Sequence, residues 1–305
     1  MSLRVVYSWL VCLCVLSSCS LRKEVLLIKV GWKTTKVDRG VVLYTYSSQF
    51  LKDFDSYQNI NVLALDLKRS KNKLKLFNHE KGDSLSSVSR KIPNIIASIN
   101  GTYFEKDENK GLSTSFLKIN GQIIDSIQIN PKSLYGWKHE GCIHWSDKNV
   151  KIISGNNKVY KNLETLNIIS GAPVLIEDYY PKGVTFVKSD IKNLERLKYE
   201  DPNRHQGVRH PRTAVAITDN DIILFVVVDG RNKNAAGMTS KELTIFLQKY
   251  FKPKDALNLD GGGSSTMWLK QSDGNGVVNY PSDNKKWDHN GQRIIKNGIY
   301  IVKGE

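Results

Sequence analysis

The feature that most constrains the fold is a pair of apolar segments at residues 214–217 and 222–228, joined by a polar turn at 218–221. Two β-branched and apolar runs around a short turn predict a β-hairpin. The second segment, Ile-Ile-Leu-Phe-Val-Val-Val, is apolar at every position, so both of its faces need covering. The chain is therefore expected to contain a sheet with this strand at its centre.

Short strands separated by glycine and asparagine turns dominate the rest of the chain. They are predicted at residues 41–46, 60–67, 95–99, 115–119, 150–153, 167–169, 256–259, 266–270 and 294–302. Helices are predicted at residues 83–90, 189–199 and 239–251, with a loop at 201–206. The helix at 239–251 is the clearest, because Thr239 and Glu242 form a capping box at its start. Many short strands with few helices predict an α+β fold of mixed or antiparallel sheets, with a site on the rim of strand ends.

The N-terminus has the layout of a lipoprotein signal peptide. Arg4 precedes an apolar run at residues 5–16, and Leu-Ser-Ser-Cys ending at Cys19 resembles a lipobox, whose cysteine becomes lipidated. The apolar run is too short for a membrane-spanning helix. We expect residues 1–19 to direct export to the bacterial cell envelope, with the protein anchored in a membrane through lipid on Cys19. An ordinary cleaved signal is the alternative.

Cysteine content and charge exclude several classes of function. Cys12 and Cys14 lie within the signal and Cys19 would carry lipid, which leaves Cys142. A disulfide within the mature chain and a thiolate zinc cluster are therefore not expected. The formal net charge of +15 attracts anions, although much of it is ordinary lysine-rich surface. Because export argues against nucleic acid, a phosphorylated glycan or sugar phosphate is the expected partner.

The segment at residues 258–266, Asn-Leu-Asp-Gly-Gly-Gly-Ser-Ser-Thr, is the most informative for function. An apolar strand that ends in an acid and three glycines leaves bare backbone, whose amides can line an anion site. A flexible turn is the ordinary alternative, but strand-like sequence on both sides favours a rigid functional loop. No Gly-Lys-Ser/Thr follows, so the segment is not a nucleotide P-loop.

Three further polar clusters lie next to predicted strand ends. They are Arg209-His210-Pro211-Arg212-Thr213, Asp229-Gly230-Arg231 and Asn100-Gly101-Thr102-Tyr103-Phe104. Arg212 has a planar fork that can bind phosphate in bidentate fashion. His210 belongs to the residue type that titrates near neutrality, so it could donate or accept a proton. Polar groups at several strand ends predict a site along one rim of a sheet.

These clusters resemble the motifs of the phosphodiester glycosidase family, and they occur in the same order. The matching elements are Asn100-Gly101-Thr102-Tyr103-Phe104, Ser170-Gly171-Ala172-Pro173, His210-Pro211-Arg212-Thr213-Ala214, Val228-Asp229-Gly230, Gly237-Met238-Thr239 with Glu242-Leu243, residues 259–266 and Tyr280-Pro281-Ser282-Asp283. The resemblance runs from about residue 95 to residue 302, so residues 95–305 are expected to be the catalytic domain and 20–94 a tether with N-terminal strands. Thr102 and Ala216 depart from the family pattern, which has glycine at the first position and often at the second.

The resemblance implies hydrolysis of a sugar-1-phosphodiester at the anomeric carbon, which releases a free sugar and a phosphomonoester. Asp260 or Asp229 would then be the base or nucleophile, Arg212 would bind phosphate, and His210 would be a secondary proton carrier. The other residues expected to bind substrate are Asn100, Gly101, Tyr103, Thr213, Glu242, Gly261, Gly262, Gly263, Ser264, Ser265 and Thr266. Glu242 has an alternative role, since the capping box accounts for it fully.

Two other functions compete with this interpretation. A glycan-binding lipoprotein could use the same cleft without catalysis, although aspartates at two strand ends favour an enzyme. A phosphodiesterase that cuts the P–O bond normally uses two metal ions, and the sequence offers no histidine-rich ligand set for them. The sequence requires no cofactor and leaves open a single divalent cation near Asp260.

Overall fold

The computed structural model of the protein describes residues 31–104, 112–187 and 191–304. These residues form three sheets in which every strand pairing is antiparallel, with a few short helices. The α+β prediction is therefore confirmed. The predicted signal peptide, Cys19 and the first part of the tether lie outside the described residues, so the lipid anchor stays a prediction. No helix within the described ranges is both long and apolar enough to cross a membrane.

The strands, in chain order, are β1 Trp32–Asp38, β2 Val41–Leu51, β3 Ser56–Asp66, β4 Lys73–Asp83, β5 Ile95–Asn100, β6 Leu117–Ile119, β7 Gln122–Asp125, β8 Gly141–Ser146, β9 Asn149–Ser154, β10 Asn167–Gly171, β11 Val174–Ile176, β12 Arg212–Ile217, β13 Ile222–Val228, β14 Asp255–Asn258, β15 Met267–Leu269 and β16 Ile295–Val302. The helices are α1 Leu85–Arg90, α2 Asn157–Asn162, α3 Pro202–Gly207 and α4 Ser240–Tyr250. Short 3₁₀ turns lie at Lys52–Phe54, Lys182–Val184, Leu194–Arg196 and Gly262–Ser264.

The three sheets contain seven, five and four strands. Their orders are β1-β2-β3-β13-β12-β14-β11, β7-β6-β10-β8-β9 and β15-β5-β16-β4. One face of the seven-stranded sheet shares a single hydrophobic core with the two smaller sheets, and α4 covers the opposite face. Burial of apolar side chains in these two layers supplies most of the favourable free energy of folding.

The strand β13 occupies the centre of the large sheet, as the sequence predicts. It lies between β3 and β12, and all seven of its residues are buried. Because side chains alternate along a strand, Phe225 enters the core between the sheets while Val226 packs in the cluster that includes Phe246 of α4. An apolar sequence without alternation is thus explained by two covered faces.

Strands that precede residue 95 complete two of the sheets. β3 pairs with β13 over seven residue pairs, and β4 pairs with β16. The described part of the segment before residue 95 therefore contributes strands to the main sheets. The expected boundary at residue 95 does not coincide with a gap between sheets.

Helix prediction succeeds where a cap is visible in the sequence. The capping box at the start of α4 is confirmed, since Thr239 Oγ1 accepts from the Glu242 N–H at 3.1 Å and Glu242 accepts from the Thr239 N–H at 2.9 Å. The region around 189–199 is different: its described part contains the turn Leu194–Arg196, and the helix α3 begins at Pro202, where a loop was predicted. Asp201 caps α3 through the Asn203 N–H and proline occupies the first turn, a start signal that outweighs the polar composition.

Candidate active site

Polar clusters predicted from the sequence lie together at one end of the seven-stranded sheet. Antiparallel pairing places Arg212, the first residue of β12, opposite Val228, the last residue of β13. The end of β14 also lies beside the start of β12. The segments that leave β13 and β14 therefore emerge next to β12, and they carry Asp229 and Asp260.

Asn100, at the end of β5, joins the four-stranded sheet to this place. Its Nδ2 donates to the main-chain oxygen of Asp260 at 2.7 Å, and its Oδ1 accepts from Thr213 Oγ1 at 2.7 Å and from the Thr266 N–H at 3.1 Å. The Asp260 N–H also donates to the Gly101 oxygen. Asn100 is 1% exposed, so its amide faces protein rather than a ligand. Asn100 was expected to bind substrate, and the contacts of its amide support instead a role in holding the main chain of Asp260.

Two other residues expected to bind substrate are also engaged by protein groups. Tyr103 is buried, and its hydroxyl donates to the Ala172 oxygen at 3.0 Å. Glu242 caps α4 and accepts from Arg209 Nε at 3.0 Å, so its alternative structural role is the one the contacts support. The hydrogen bonds of Tyr103 and Glu242 are thus used within the protein.

The glycine segment makes a tight turn directly after Asp260. Gly262 has φ +62°, a left-handed conformation that glycine adopts without strain, and its N–H donates to the Pro211 oxygen at 2.8 Å. The hydroxyls of Ser264 and Ser265 are buried and have no hydrogen-bond partner among the described residues. Because buried polar atoms are normally paired, these two hydroxyls are available to a ligand.

One side of the turn is acidic and close to aromatic and cationic groups. Burial and, after it, the charge of Asp260 raise the pKa of Tyr103. Burial lowers the pKa of Arg293, but a hydrogen bond to Asp283 and the charge of Asp260 outweigh it, so that the pKa is raised. Arg293 Nε donates to Asp283 Oδ2 at 2.8 Å, which fixes this arginine near the Asp260 carboxylate. The arrangement keeps a carboxylate beside the glycine turn in a partly buried setting.

The other side of the turn is cationic and contains a neutral histidine. His210 is 8% exposed, and neither ring nitrogen has a hydrogen-bond partner among the described residues. Burial and the charges of Arg212, Arg231 and Arg204 lower the pKa of His210 to about 3. The expectation that His210 titrates near neutrality is therefore wrong, because burial next to three cations disfavours its charged form. His210 can still donate or accept a hydrogen bond as a neutral imidazole.

Arg212 is buried beneath this cluster, with most of its donors already used. Its Nε donates to the Met238 oxygen at 2.8 Å, and its Nη2 donates to the His205 and Val208 oxygens at 2.8 and 3.0 Å. A bidentate phosphate contact requires two free N–H groups on one side of the guanidinium, and Nη2 has none left. Nη1 also donates to Gln206 Oε1 at 3.5 Å, so every nitrogen of the guanidinium has a protein acceptor, and phosphate binding by Arg212 stays a prediction.

Asp229 lies in a closed set of donors. It is 1% exposed and accepts from Asn59 Nδ2 and Asn279 Nδ2, both at 2.7 Å, and from the Tyr280 N–H at 3.1 Å. Burial raises the pKa of Asp229 to about 6, although the three donors oppose it. The carboxylate therefore ties β3 to the segment after residue 278, whereas Asp260 directly precedes the glycine turn.

We expect Asp229 to make stability fall as pH rises from about 4 to 6. Its pKa is about 6 in the folded protein, above the ordinary aspartate value of 3.8, so the folded state binds the proton more tightly in this window. Relative to Asp229→Asn, the wild type should lose about 3 kcal/mol of unfolding free energy across the window. Urea unfolding of both proteins at a series of pH values measures this difference. A difference that is constant with pH would contradict the assignment.

Several residues at the site were not selected from the sequence. Arg231 follows Asp229 by two positions and Asp283 ends the element Tyr280-Pro281-Ser282-Asp283, so both stood in recognised motifs. Tyr199 and Arg293 come from segments without a recognisable signature. No three His, Cys, Asp or Glu side chains within the described ranges are grouped so that they could hold a metal ion. Binding of a single divalent cation near Asp260 stays an open alternative.

Known proteins are similar to this chain in sequence or in fold. The SPbeta prophage-derived uncharacterized protein YomE of Bacillus subtilis is 24% identical over 249 residues, which are 79% of this chain and 32% of that protein, so the chain spans about a third of its relative. The catalytic domain of zebrafish N-acetylglucosamine-1-phosphodiester alpha-N-acetylglucosaminidase, auto-inhibited by its pro-peptide, has a TM-score of 0.61 at 17% identity, covering 90% of this chain and 89% of that one. A hypothetical protein from Synechocystis has a TM-score of 0.56 at 12% identity, covering 89% and 64%.

The match at the level of family covers more than half of the sequence. A family model described as phosphodiester glycosidase matches residues 93–302. That range contains Asn100, which holds the main chain of Asp260, as well as the cationic cluster around His210 and the glycine turn after Asp260. This match shows that the chain belongs to the phosphodiester glycosidase family.

Proposed function

We propose that the protein hydrolyses a sugar-1-phosphodiester by breaking the bond between the anomeric carbon and the phosphate oxygen. One observation carries the proposal: Asp260 stands at a strand end beside a glycine turn that presents unpartnered, buried polar atoms. Those atoms are the hydroxyls of Ser264 and Ser265 and, across the turn, the ring nitrogens of His210. A carboxylate next to convergent free donors is the arrangement expected for a glycosyl centre with an anionic leaving group.

The leaving group explains why a strong acid is not needed. A phosphomonoester has a second pKa of about 6, so it departs with little help from a proton donor. Neutral His210 and the serine hydroxyls supply hydrogen bonds to its oxygens as charge develops there. A histidine that stays neutral across the physiological range, because its pKa is lowered to about 3, suits that task better than a titrating acid.

Asp260 provides the negative charge that the sugar requires. As the C–O bond breaks, the anomeric carbon gains positive character, and a carboxylate can activate water or stabilise that centre directly. The main chain of Asp260 is fixed by hydrogen bonds to Asn100 Nδ2 and to the Gly101 oxygen, so the carboxylate is attached to a rigid segment. Water adds to the anomeric carbon, and the bridging oxygen leaves with the phosphate.

Turnover of sugar-1-phosphodiesters in oxygen-18 water tests this function. The panel would include nitrophenyl-phospho-sugars and UDP-sugars, with products analysed by mass spectrometry. We expect the label in the released sugar, because C–O cleavage places the water oxygen on the anomeric carbon. Label in the phosphate would instead identify a phosphodiesterase. Tight binding without turnover across the panel would favour a glycan-binding protein.

A further inference from the structure

The guanidinium of Arg231 lies directly over the glycine turn. Its Nη2 is 3.1 Å from the position that a Cβ on Gly262 would occupy, so any larger residue at 262 would crowd it. Arg231 itself has φ +62°, a left-handed conformation that is uncommon for a residue with a side chain. Backbone strain of this kind persists only where the surroundings impose it, and it is concentrated at functional sites.

Tyr199 fixes the far end of the same side chain. Arg231 Nη2 donates to Tyr199 Oη at 2.8 Å. The Tyr199 ring lies 5.8 Å from the His210 ring, between ring centroids, so one side chain contacts both groups. An exposed arginine without such a partner would lose several rotatable bonds of freedom on binding a ligand. Tyr199 therefore holds the guanidinium in place before any ligand arrives.

The surroundings of His210 are positive. Arg204, Arg212 and Arg231 all lower the pKa of His210, after burial, and no carboxylate is among the causes. Within the described part of the chain, Arg231 forms no ion pair. Three like charges around a buried imidazole with two free nitrogens create a strong local field that an anion would neutralise.

Arg231 differs from Arg212 in how many of its guanidinium N–H groups are engaged by protein oxygens. The Nη2 and Nε groups of Arg212 are committed to main-chain oxygens, and the side chain is 1% exposed. Arg231 is exposed, and within the described ranges it makes one hydrogen bond, to Tyr199, so other N–H groups of its fork are unused there. Guanidinium groups recognise phosphate through such paired N–H groups.

We infer that Arg231, held in position by Tyr199, binds the phosphoryl group of the substrate between its guanidinium and His210, in place of Arg212. The inference rests on the proposed function for its substrate, but the site would bind phosphate whether or not the protein turns it over. Tyr199 is a positioning residue here, because it acts through Arg231. The carboxylate side of the glycine turn is then left for the sugar.

Titration of inorganic phosphate by calorimetry tests the inference directly. Charged hydrogen bonds of this kind predict that Arg231→Ala weakens phosphate binding roughly 10- to 100-fold. Arg231→Lys should recover part of the loss, since it restores the charge without the fork. Arg39→Ala is the matched control, because Arg39 is exposed and lies between β1 and β2, at the opposite end of the sheet. Phosphate affinity in Arg231→Ala equal to that of the control would overturn the inference, as would a wild type that binds no phosphate at millimolar concentration.

The positioning role requires a double-mutant cycle. Tyr199→Phe should weaken phosphate binding severalfold when Arg231 is present and should have no further effect in the Arg231→Ala background. Equal losses in both backgrounds would show that Tyr199 acts independently and would overturn its positioning role. Circular dichroism and thermal unfolding of each variant establish that it is folded before it is titrated.

The two proposals fail in different ways. If phosphate binding depends on Arg231 but no sugar-1-phosphodiester is turned over, the proposed function fails and the phosphate site stands. If the wild type turns over its substrate and Arg231→Ala changes neither KM nor phosphate affinity, the function stands and the phosphate site fails.

Discussion

Replacing Asp260 with asparagine is expected to lower kcat for a sugar-1-phosphodiester roughly 10²- to 10⁴-fold, the range associated with loss of a positioned acid–base group. The amide keeps the size of the side chain but cannot activate water or stabilise positive charge at the anomeric carbon. Since the main-chain hydrogen bonds of Asp260 to Asn100 and Gly101 remain, the fold should be retained. Steady-state kinetics with the substrate identified by the oxygen-18 panel measure the effect.

Two matched aspartates serve as controls for this substitution. Asp219→Asn changes an exposed residue in the turn between β12 and β13, at the far end of the sheet, and should leave kcat unchanged. Asp229→Asn changes the carboxylate that is closed in by donors, so its main effect should be on stability and its pH dependence. If Asp260→Asn retained kcat within twofold while Asp229→Asn lost it, the assignment of the two carboxylates would have to be exchanged.

Replacing Arg212 with alanine is expected to lower the free energy of unfolding by about 3–5 kcal/mol, because it leaves buried main-chain oxygens without donors. The oxygens affected belong to His205, Val208 and Met238, which lie in α3, after it and before α4. Arg212 is also among the largest fully buried side chains, so its removal leaves a cavity. Urea unfolding followed by fluorescence gives the difference.

Arg209→Ala is the comparison for this effect. Arg209 pairs with Glu242 but is only partly buried, so its loss should cost about 1 kcal/mol. A stable but inactive Arg212→Ala protein would return the phosphate-binding role to Arg212 Nη1. Loss of stability together with retained phosphate affinity at low temperature would support the division of roles between Arg212 and Arg231.

Local features of the fold could be predicted because their causes are local. The hairpin of β12 and β13 follows from two apolar runs around a polar turn, and α4 follows from its periodicity and capping box. Sheet composition could not be predicted in the same way. β3 and β13 are separated by more than 150 residues, and nothing in either sequence specifies the other as a partner.

The candidate site shows the same division. The acid and the glycines after β14 stand out, because such a run has no structural purpose in an ordinary strand. The roles of Arg212, Asn100 and Asp229 depend on neighbours contributed by distant segments. Residue type alone therefore predicted contacts with substrate, whereas in the structure these side chains make hydrogen bonds that join protein segments. Arg231 stood in a named cluster but received no role, because the role inferred for it comes from its position over Gly262.

The position of β16 in the four-stranded sheet determines when the candidate site can form during synthesis. β16 lies between β4 and β5, and β5 ends at Asn100, whose Nδ2 donates to the main-chain oxygen of Asp260. During synthesis, β4 and β5 lack the strand that joins them until residues 295–302 have left the ribosome. The contacts that hold the main chain of Asp260 should therefore form only after residues 295–302 have emerged, however early the hairpin of β12 and β13 forms.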